Sequence, residues 1–264
     1  MKISIVTISY NQAQFLEEAI LSVINQDYTD IEYIVVDPGS IDGSRDIIEK
    51  YRDRIEHIIY EKDKGPADGL NKGFALATGD VLGFINADDA LLPCSLQMVF
   101  NYFNKNLDID VVCGCGLIVD DDDKFIKKVL PTNFTKRLYA FGAVTFLQQS
   151  TFFRKNAFLA TNGFNIENRT CWDGELFSDM AAQNMKFGIL YAELALFRIY
   201  DSSISGSGRL NEVYVKDRNR IFLKSMGREI TSLDKLLAKI YLFEKLIMNP
   251  RYTFSRILTH LRVN

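Results

Sequence analysis

The chain has 264 residues, of which 47% are hydrophobic and 25% charged, with 16 glycines and 5 prolines. That composition is too apolar for disorder and is sufficient for one large α/β domain or two small ones. The net charge of −3, from 31 basic and 34 acidic side chains, offers no basic excess that would point to nucleic acid as a partner. Two histidines, His57 and His260, all but exclude a Ser-His-Asp triad or a multi-histidine metal site, so carboxylates must carry any catalysis.

In chain order, Ile3 to Ile8 is an unbroken apolar run of strand length, and Ala13 to Asn25 follows with helical periodicity. Tyr33 to Val36 reads as a second strand, ended by the turn-forming Asp37-Pro38-Gly39-Ser40. Asp42 to Arg54 is an expected helix, His57 to Tyr60 a third strand, and Pro66 to Ala77 a helix with proline in its first turn. Val81 to Ile85 is a fourth strand, stopped by Asn86-Ala87-Asp88-Asp89, and Pro93 to Asn104 is again helical. Repeated βα units built on continuous apolar strands predict a Rossmann-like, mostly parallel, doubly wound α/β sheet. Ligands of such sheets bind outside the carboxyl ends of the strands, where Tyr10-Asn11, Asp37, Glu61 to Asp68 and Asp88-Asp89 would gather.

The pattern changes after residue 109. Val111 to Val119 and Phe125 to Val129 flank four adjacent acids, Asp120 to Asp123. A solvated hairpin turn is favoured over a calcium site, because neighbouring turn carboxylates diverge and repel. Cys113 and Cys115 alternate onto one face of the same run and read as buried thiols rather than zinc ligands, since neither a second Cys pair nor a His completes a set. Gly174 to Lys186 reads as an amphipathic helix and Gly188 to Arg198 as a strand. The tail, 231–264, reads as two helices broken at Asn249-Pro250, with six basic and two acidic residues. With no signal-peptide pattern and no apolar run near the roughly 20 residues of a membrane span, a cytoplasmic protein with reduced thiols is expected.

Asp88-Asp89 after a buried strand suits either a helix-capping turn or a Mg²⁺ or Mn²⁺ site completed by substrate phosphates. Carboxylates crowded at one sheet edge are costly unless a metal or a donor-rich ligand relieves them; Lys62, Lys64 and Lys72 offset some of that charge. The ordered segments Ser9-Tyr10-Asn11, Asp37 to Ser44, Glu61 to Gly65, Asp68 to Gly73, Ala77 to Asp80 and Asn86 to Asp89 resemble the inverting family 2 glycosyltransferases of the GT-A fold. The likeness is dense over 3–90 and thinner through Gln148 to Arg154, Gly163-Phe164 and Trp172 to Glu175.

The resemblance implies a domain over 1–230, with a nucleotide-sugar half (1–109) and a smaller mixed acceptor-side half (110–230), followed by C-terminal helices. By the same resemblance, Tyr10 would lie against the nucleotide base, which Asp37 would contact, and Asn11, Asp63, Asp68 and Lys72 would belong to the same pocket. Asp89 would be the direct metal ligand, Asp88 would lie nearer the ribose or the metal, and Asp173 would be the catalytic carboxylate, just ahead of Glu175. The expected donor is a UDP-sugar, the cofactor Mn²⁺ or Mg²⁺, and the acceptor a saccharide carried on polyprenyl diphosphate. Asp173 would deprotonate the acceptor hydroxyl for a single inverting displacement.

Tyr200 stands where family members often carry His, which leaves a third protein ligand in doubt; Ser202 to Arg209 suits either a closing loop or a linker. The Gln-x-x-Arg-Trp signature of processive synthases is absent. The basic, apolar tail suits either packing on the domain or docking on an anionic membrane. Two other functions compete. A nucleotidyltransferase would carry a Gly-rich phosphate loop that Ser9-Tyr10-Asn11-Gln12 lacks, and a non-catalytic nucleotide-sugar-binding protein would not need Asp173.

Overall fold

The structure is a computed structural model that describes residues 1–201 and 203–263, with side chains as far as Arg256. Ser202, with which the expected loop begins, and the tail side chains of His260 and Arg262 lie outside the described residues. The chain runs β1 (Ile3–Ile8), α1 (Ala13–Ile24), β2 (Ile31–Val36), α2 (Ser44–Lys50), β3 (His57–Ile59), α3 (Pro66–Leu76), β4 (Val81–Asn86), β5 (Ala90–Leu91) and α4 (Ser95–Lys105). There follow β6 (Val111–Val119), β7 (Phe125–Val129), α5 (Lys136–Ala140), β8 (Thr151–Arg154), α6 (Lys155–Leu159), α7 (Trp172–Ala182), β9 (Phe187–Arg198), α8 (Asn211–Met226), α9 (Ser232–Met248) and α10 (Pro250–Val263).

The strands form one nine-stranded sheet in the order β3-β2-β1-β4-β8-β6-β9-β5, with β7 added beside β6. β3, β2, β1 and β4 pair in parallel, as do β6 and β9, while β8 joins the two groups antiparallel to both of its neighbours. The mostly parallel α/β sheet is thus as expected, and side-chain alternation explains why its strands read as unbroken apolar runs. Ile3, Ile5, Tyr33 and Val35 join one buried cluster with Leu16, Ile20 and Val99 of α1 and α4. The intervening Val6, Ile34, Val36 and Phe84 join the opposite cluster with Leu70, Phe74 and Phe177 of α3 and α7. β1, β2 and β4 bury both faces, so polarity there is left mainly to the strand ends.

Several boundaries move, for local reasons. The expected Asp42 to Arg54 helix begins only at Ser44, because Gly43 adopts φ +100° and the Asp42 carboxylate anchors the turn on the Ser44 and Ala13 backbone N–H groups. Cys94 at φ +64° likewise delays the Pro93 to Asn104 helix until Ser95. The helix expected from Gly174 starts two residues earlier, which puts Asp173 inside its first turn rather than ahead of it. The acids between β6 and β7 cap their own turn: Asp120 accepts from the Asp122 and Lys124 backbone N–H groups, and Asp122 pairs with Lys124. Asp123, exposed in the same turn, also bonds the buried Arg198 guanidinium. Cys113 and Cys115 are buried free thiols, and burial pushes Cys113 up to about 12.

Candidate active site

A cleft of about 1120 Å³ opens at the carboxyl ends of the parallel strands. One wall comes from Ile8, Ser9, Tyr10 and Gln12 after β1, Pro38 and Gly39 after β2, Lys62, Asp63 and Gly65 after β3, and Asn86 to Asp88 after β4. Tyr10 stands 61% exposed there, free to offer a ring face. Asp37 is fully buried; its Oδ1 accepts from the Gly39 and Ser40 backbone N–H groups and from Arg45 Nε, while its Oδ2 has no partner. Ser9 Oγ and Asn86 Oδ1 are likewise buried and unpartnered. Leaving a buried acceptor unmet costs about 1–3 kcal/mol, so three such oxygens at adjacent strand ends, two of them on cleft-lining residues, are candidates for bonds to a ligand or water.

The adjacent carboxylates Asp88 and Asp89 are in different situations. Asp89 is 1% exposed and bonded to protein through both oxygens: Oδ1 accepts from the Arg198 backbone N–H, and Oδ2 accepts from Asn86 Nδ2 and Gln149 Nε2. Asp88 lines the cleft, and its Oδ2 takes a 3.0 Å hydrogen bond from the Tyr200 hydroxyl. Burial raises the pKa of both, and Asp88 raises that of Asp89 further. Asp88, but not Asp89, is among the residues that line the cleft. The reason lies in Gln149 and β9, which hold Asp89 from behind. Tyr200 packs against Phe15, and burial, with Asp88 beside it, pushes its phenol up to about 12.

Among the described residues, no group of three or more His, Cys, Asp or Glu is placed to hold a metal. The donors that do face the cleft, the Asp88 carboxylate and the orphaned Asn86 Oδ1 next to it, are hard oxygens of the kind Mg²⁺ and Mn²⁺ accept when phosphate oxygens complete the shell. The residues present fit such an ion on that basis.

Five expected site residues are not among those that line the cleft: the buried Asp37 and Asp89, and Asn11, Asp68 and Lys72. Asn11 ties two loops together, its N–H on Ser40 Oγ and its Oδ1 on the Ile41 N–H. Asp68 closes the loop before α3 by accepting from the Lys64 N–H, and Lys72 is held by the Lys62 carbonyl and Glu61. Asp63 does line the cleft, bonded to the Gly65 N–H, and burial raises its pKa.

The opposite wall comes from α7, α8 and the segments before them. Asp173, in the first turn of α7, accepts from the Gly174 backbone N–H, yet burial outweighs this and lifts its pKa to about 6. Gly174 is required by its surroundings, since a Cβ there would overlap the Tyr139 hydroxyl. Arg218 lies over the Tyr139 ring at 4.4 Å, donates to the Tyr139 and Ala140 carbonyls, and lines the cleft with Tyr214, one helical turn earlier. Glu175 points elsewhere, into a buried set with Arg220, Asn165 and Asn168. Sequence reasoning missed Tyr139, Tyr214 and Arg218. Tyr214 and Arg218 had one usable signal, their i, i+4 spacing. Ser203, Ile204, Ser205 and Arg209 close the rim after Tyr200.

The family model described as "Glycosyl transferase family 2" matches residues 4–163. An uncharacterized glycosyltransferase of Nostoc sp. is 40% identical over 130 residues, 48% of this chain and 40% of that protein. A putative teichuronic acid biosynthesis glycosyltransferase, TuaG of Bacillus subtilis, is 32% identical over 130 residues, 47% of this chain and 52% of that protein. These matches span about half the length of the curated relatives. Among solved structures, S. aureus TarS 1–349 in complex with UDP-GlcNAc superposes at TM-score 0.69 and 18% identity, over 94% of this chain and 72% of that one. The mannosyltransferase PcManGT from Pyrobaculum calidifontis, in complex with GDP-Man and Mn²⁺, superposes at 0.66 and 16% identity, over 91% and 69%. With its strand-end motifs inside the matched region and this GT-A sheet around them, the chain belongs to glycosyl transferase family 2.

Proposed function

We propose that the protein transfers one sugar, with inversion, from a nucleotide-sugar to a hydroxyl of a saccharide acceptor. The observation that carries this reading is one cleft with unpartnered buried oxygens at its strand-end wall and, on the facing wall, a carboxylate whose pKa of about 6 suits a base. Asp37 Oδ2, an acceptor only, would take the imide N–H of uracil while Tyr10 covers the ring, which favours a UDP-sugar. Asp88 and Asn86 would hold Mn²⁺ or Mg²⁺, which when bound supplies charge neutralisation for the departing diphosphate. Lys62 and Arg209, both at the rim, add positive charge near the same groups.

In the reaction, the acceptor hydroxyl oxygen forms a bond to the anomeric carbon, and the bond from that carbon to the diphosphate oxygen breaks with its electron pair. The hydroxyl proton passes to Asp173. Asp89, Gln149 and Arg198 would act from behind by fixing the turn that carries Asp88. The acceptor we infer is a glycan on polyprenyl diphosphate at the cytoplasmic face of a membrane, in surface-polysaccharide synthesis. TuaG, named for teichuronic acid biosynthesis, and TarS, seen with UDP-GlcNAc, support that class.

Melting the protein with UDP-, GDP- and dTDP-sugars, with and without Mn²⁺, tests the donor. A ligand at a hundred times its Kd adds about 2.7 kcal/mol to stability, a plainly measurable shift. A shift with a UDP-sugar that grows with Mn²⁺ is expected; no shift with any nucleotide-sugar would sink the proposal.

A further inference from the structure

The helix α9 is apolar on two sides. Leu237, Ala238 and Tyr241 pack against Phe141 and Phe222, with Tyr241 and Phe141 ring centroids 4.6 Å apart. Lys245, 6% exposed, donates to Thr145 Oγ1, and the Asn133 N–H donates to Asn249 Oδ1 just past the helix end. The Arg228–Asp234 pair and the Thr231 cap fix the beginning. Packing of the tail on the domain therefore accounts for one face only.

The other face carries Leu233, Leu236, Ile240, Phe243 and Ile247, each between 54% and 65% exposed. Their spacing of three, four, three and four residues aligns them in one stripe. Soluble monomers seldom leave so continuous an apolar row in water, so something covers it. Charge decides what. Lys235 and Lys239 are exposed beside the stripe, whereas the two carboxylates of α9 are turned away, Asp234 onto Arg228 and Glu244 toward Arg137. A second copy of the chain would bring the same lysines to this face with no carboxylate on it to meet them. A surface of anionic lipid headgroups over acyl chains answers both the charge and the apolar row.

We propose that this face of α9 lies in an anionic membrane surface, its apolar row below the headgroups and Lys235 and Lys239 among them. The placement has a consequence for the cleft. The chain between Phe141, under Tyr241, and Thr145, under Lys245, includes Gly142 and Val144 of the cleft wall on the Asp173 side. Docking by α9 thus holds the acceptor wall next to the bilayer, where a lipid-carried saccharide would present its hydroxyl. This deepens the acceptor reading and rests on it for its meaning, although the docking itself is measured without any acceptor.

The test is co-sedimentation of the full chain with vesicles of phosphatidylcholine alone or with 30% phosphatidylglycerol, for wild type, Phe243→Glu/Ile247→Glu and Lys235→Gln/Lys239→Gln. Wild type is expected to bind the anionic vesicles only, the glutamate pair to lose binding at least tenfold and the glutamine pair several-fold. Unchanged far-ultraviolet circular dichroism and melting would show that both variants fold. A Phe243→Trp variant should shift its emission to the blue on adding anionic vesicles, against a constant background from the single native Trp172. Equal binding by all forms, no binding by wild type, or no emission shift overturns the proposal. So does a wild-type dimer that Phe243→Glu dissociates. Vesicle binding without donor stabilisation would retain the docking and remove the transferase reading; the opposite pair of results would do the reverse.

Discussion

On the proposed donor side, Asn86 and Asp88 line the cleft at the end of β4, with Asp37 buried directly after β2, whereas on the proposed acceptor side Asp173, Tyr214 and Arg218 come from α7 and α8, two helices separated by the long strand β9. The donor wall is fixed by parallel register: Val36 and Asn86 both pair with Ile8, so the residues that follow emerge at one level. The acceptor wall is fixed by side-chain packing, Tyr139 against Gly174 and Arg218 against Tyr139. Backbone pairing makes one wall rigid, while helices joined by long connections can be re-spaced, which suits the proposed division between a common nucleotide and varied acceptors.

The largest effect should come from the acceptor wall. Replacing Asp173 with Asn is expected to lower turnover roughly 10²–10⁴-fold while donor binding by calorimetry is unchanged. Its pKa, raised from 3.8 to about 6 by burial, sets the pH dependence. The base must be ionised, so kcat/KM should fall with unit slope as pH drops through about 6. The linkage has the opposite sign for stability: the folded state holds this proton more tightly than the unfolded chain, so ionisation costs stability as pH rises from about 4 to 6. Asp173→Asn should therefore melt higher than wild type at pH 8. A lower melting point, with both binding and turnover lost, would mean that Asp173 supports the helix rather than the chemistry.

The same contrast explains what could be read without coordinates. β1, β2 and β4 bury both faces, so their ends are marked by a sudden change to polar residues such as Asp37-Pro38-Gly39 or Asn86-Ala87-Asp88. Such local signals survive in sequence. Asp173 was legible only through the family likeness, and Tyr214 and Arg218 offered only their i, i+4 spacing, because α8 is mainly polar and its place depends on one buried edge, Asp217, Ile221 and Phe222. The different surroundings of Asp88 and Asp89 were also beyond sequence. Adjacent carboxylates are equivalent until Gln149 and the Arg198 N–H, 60 and 109 residues away, claim one of them.

That difference supplies the next effects. Asp88→Ala should cost roughly 10²–10³-fold in turnover and remove the Mn²⁺ dependence of donor stabilisation. Asp89→Asn should keep that Mn²⁺ dependence while lowering the melting point, since its three donors then meet a neutral amide. Metal titrations followed by melting would separate the two, and loss of the metal response in Asp89→Asn alone would restore Asp89 as the ligand. Asp37→Asn should weaken nucleotide binding roughly 10–100-fold, about 1.5–3 kcal/mol for one hydrogen bond to a charged group. An unchanged nucleotide affinity by calorimetry would move the base elsewhere.

The smallest effect on activity, and a purely structural one, should come from the other end of the same strands. Glu32, 2% exposed near the start of β2, accepts from Lys2 Nζ, Ser4 Oγ and both the N–H and hydroxyl of Thr78, so it ties β1, β2 and the turn before β4 together away from the cleft. These donors outweigh burial and hold its pKa at about 2. A depressed carboxylate contributes stability that is present above its unfolded value near 4.5 and is lost as pH falls toward 2. Glu32→Gln is thus expected to cost about 1–3 kcal/mol at pH 7 and progressively less below pH 4, with kcat/KM unchanged below the melting range. Denaturant titrations at pH 7 and pH 3 measure it. A loss of kcat/KM at full folding would show that the amino ends of the strands reach the site as well, and the division between a functional and a structural edge of the sheet would fail.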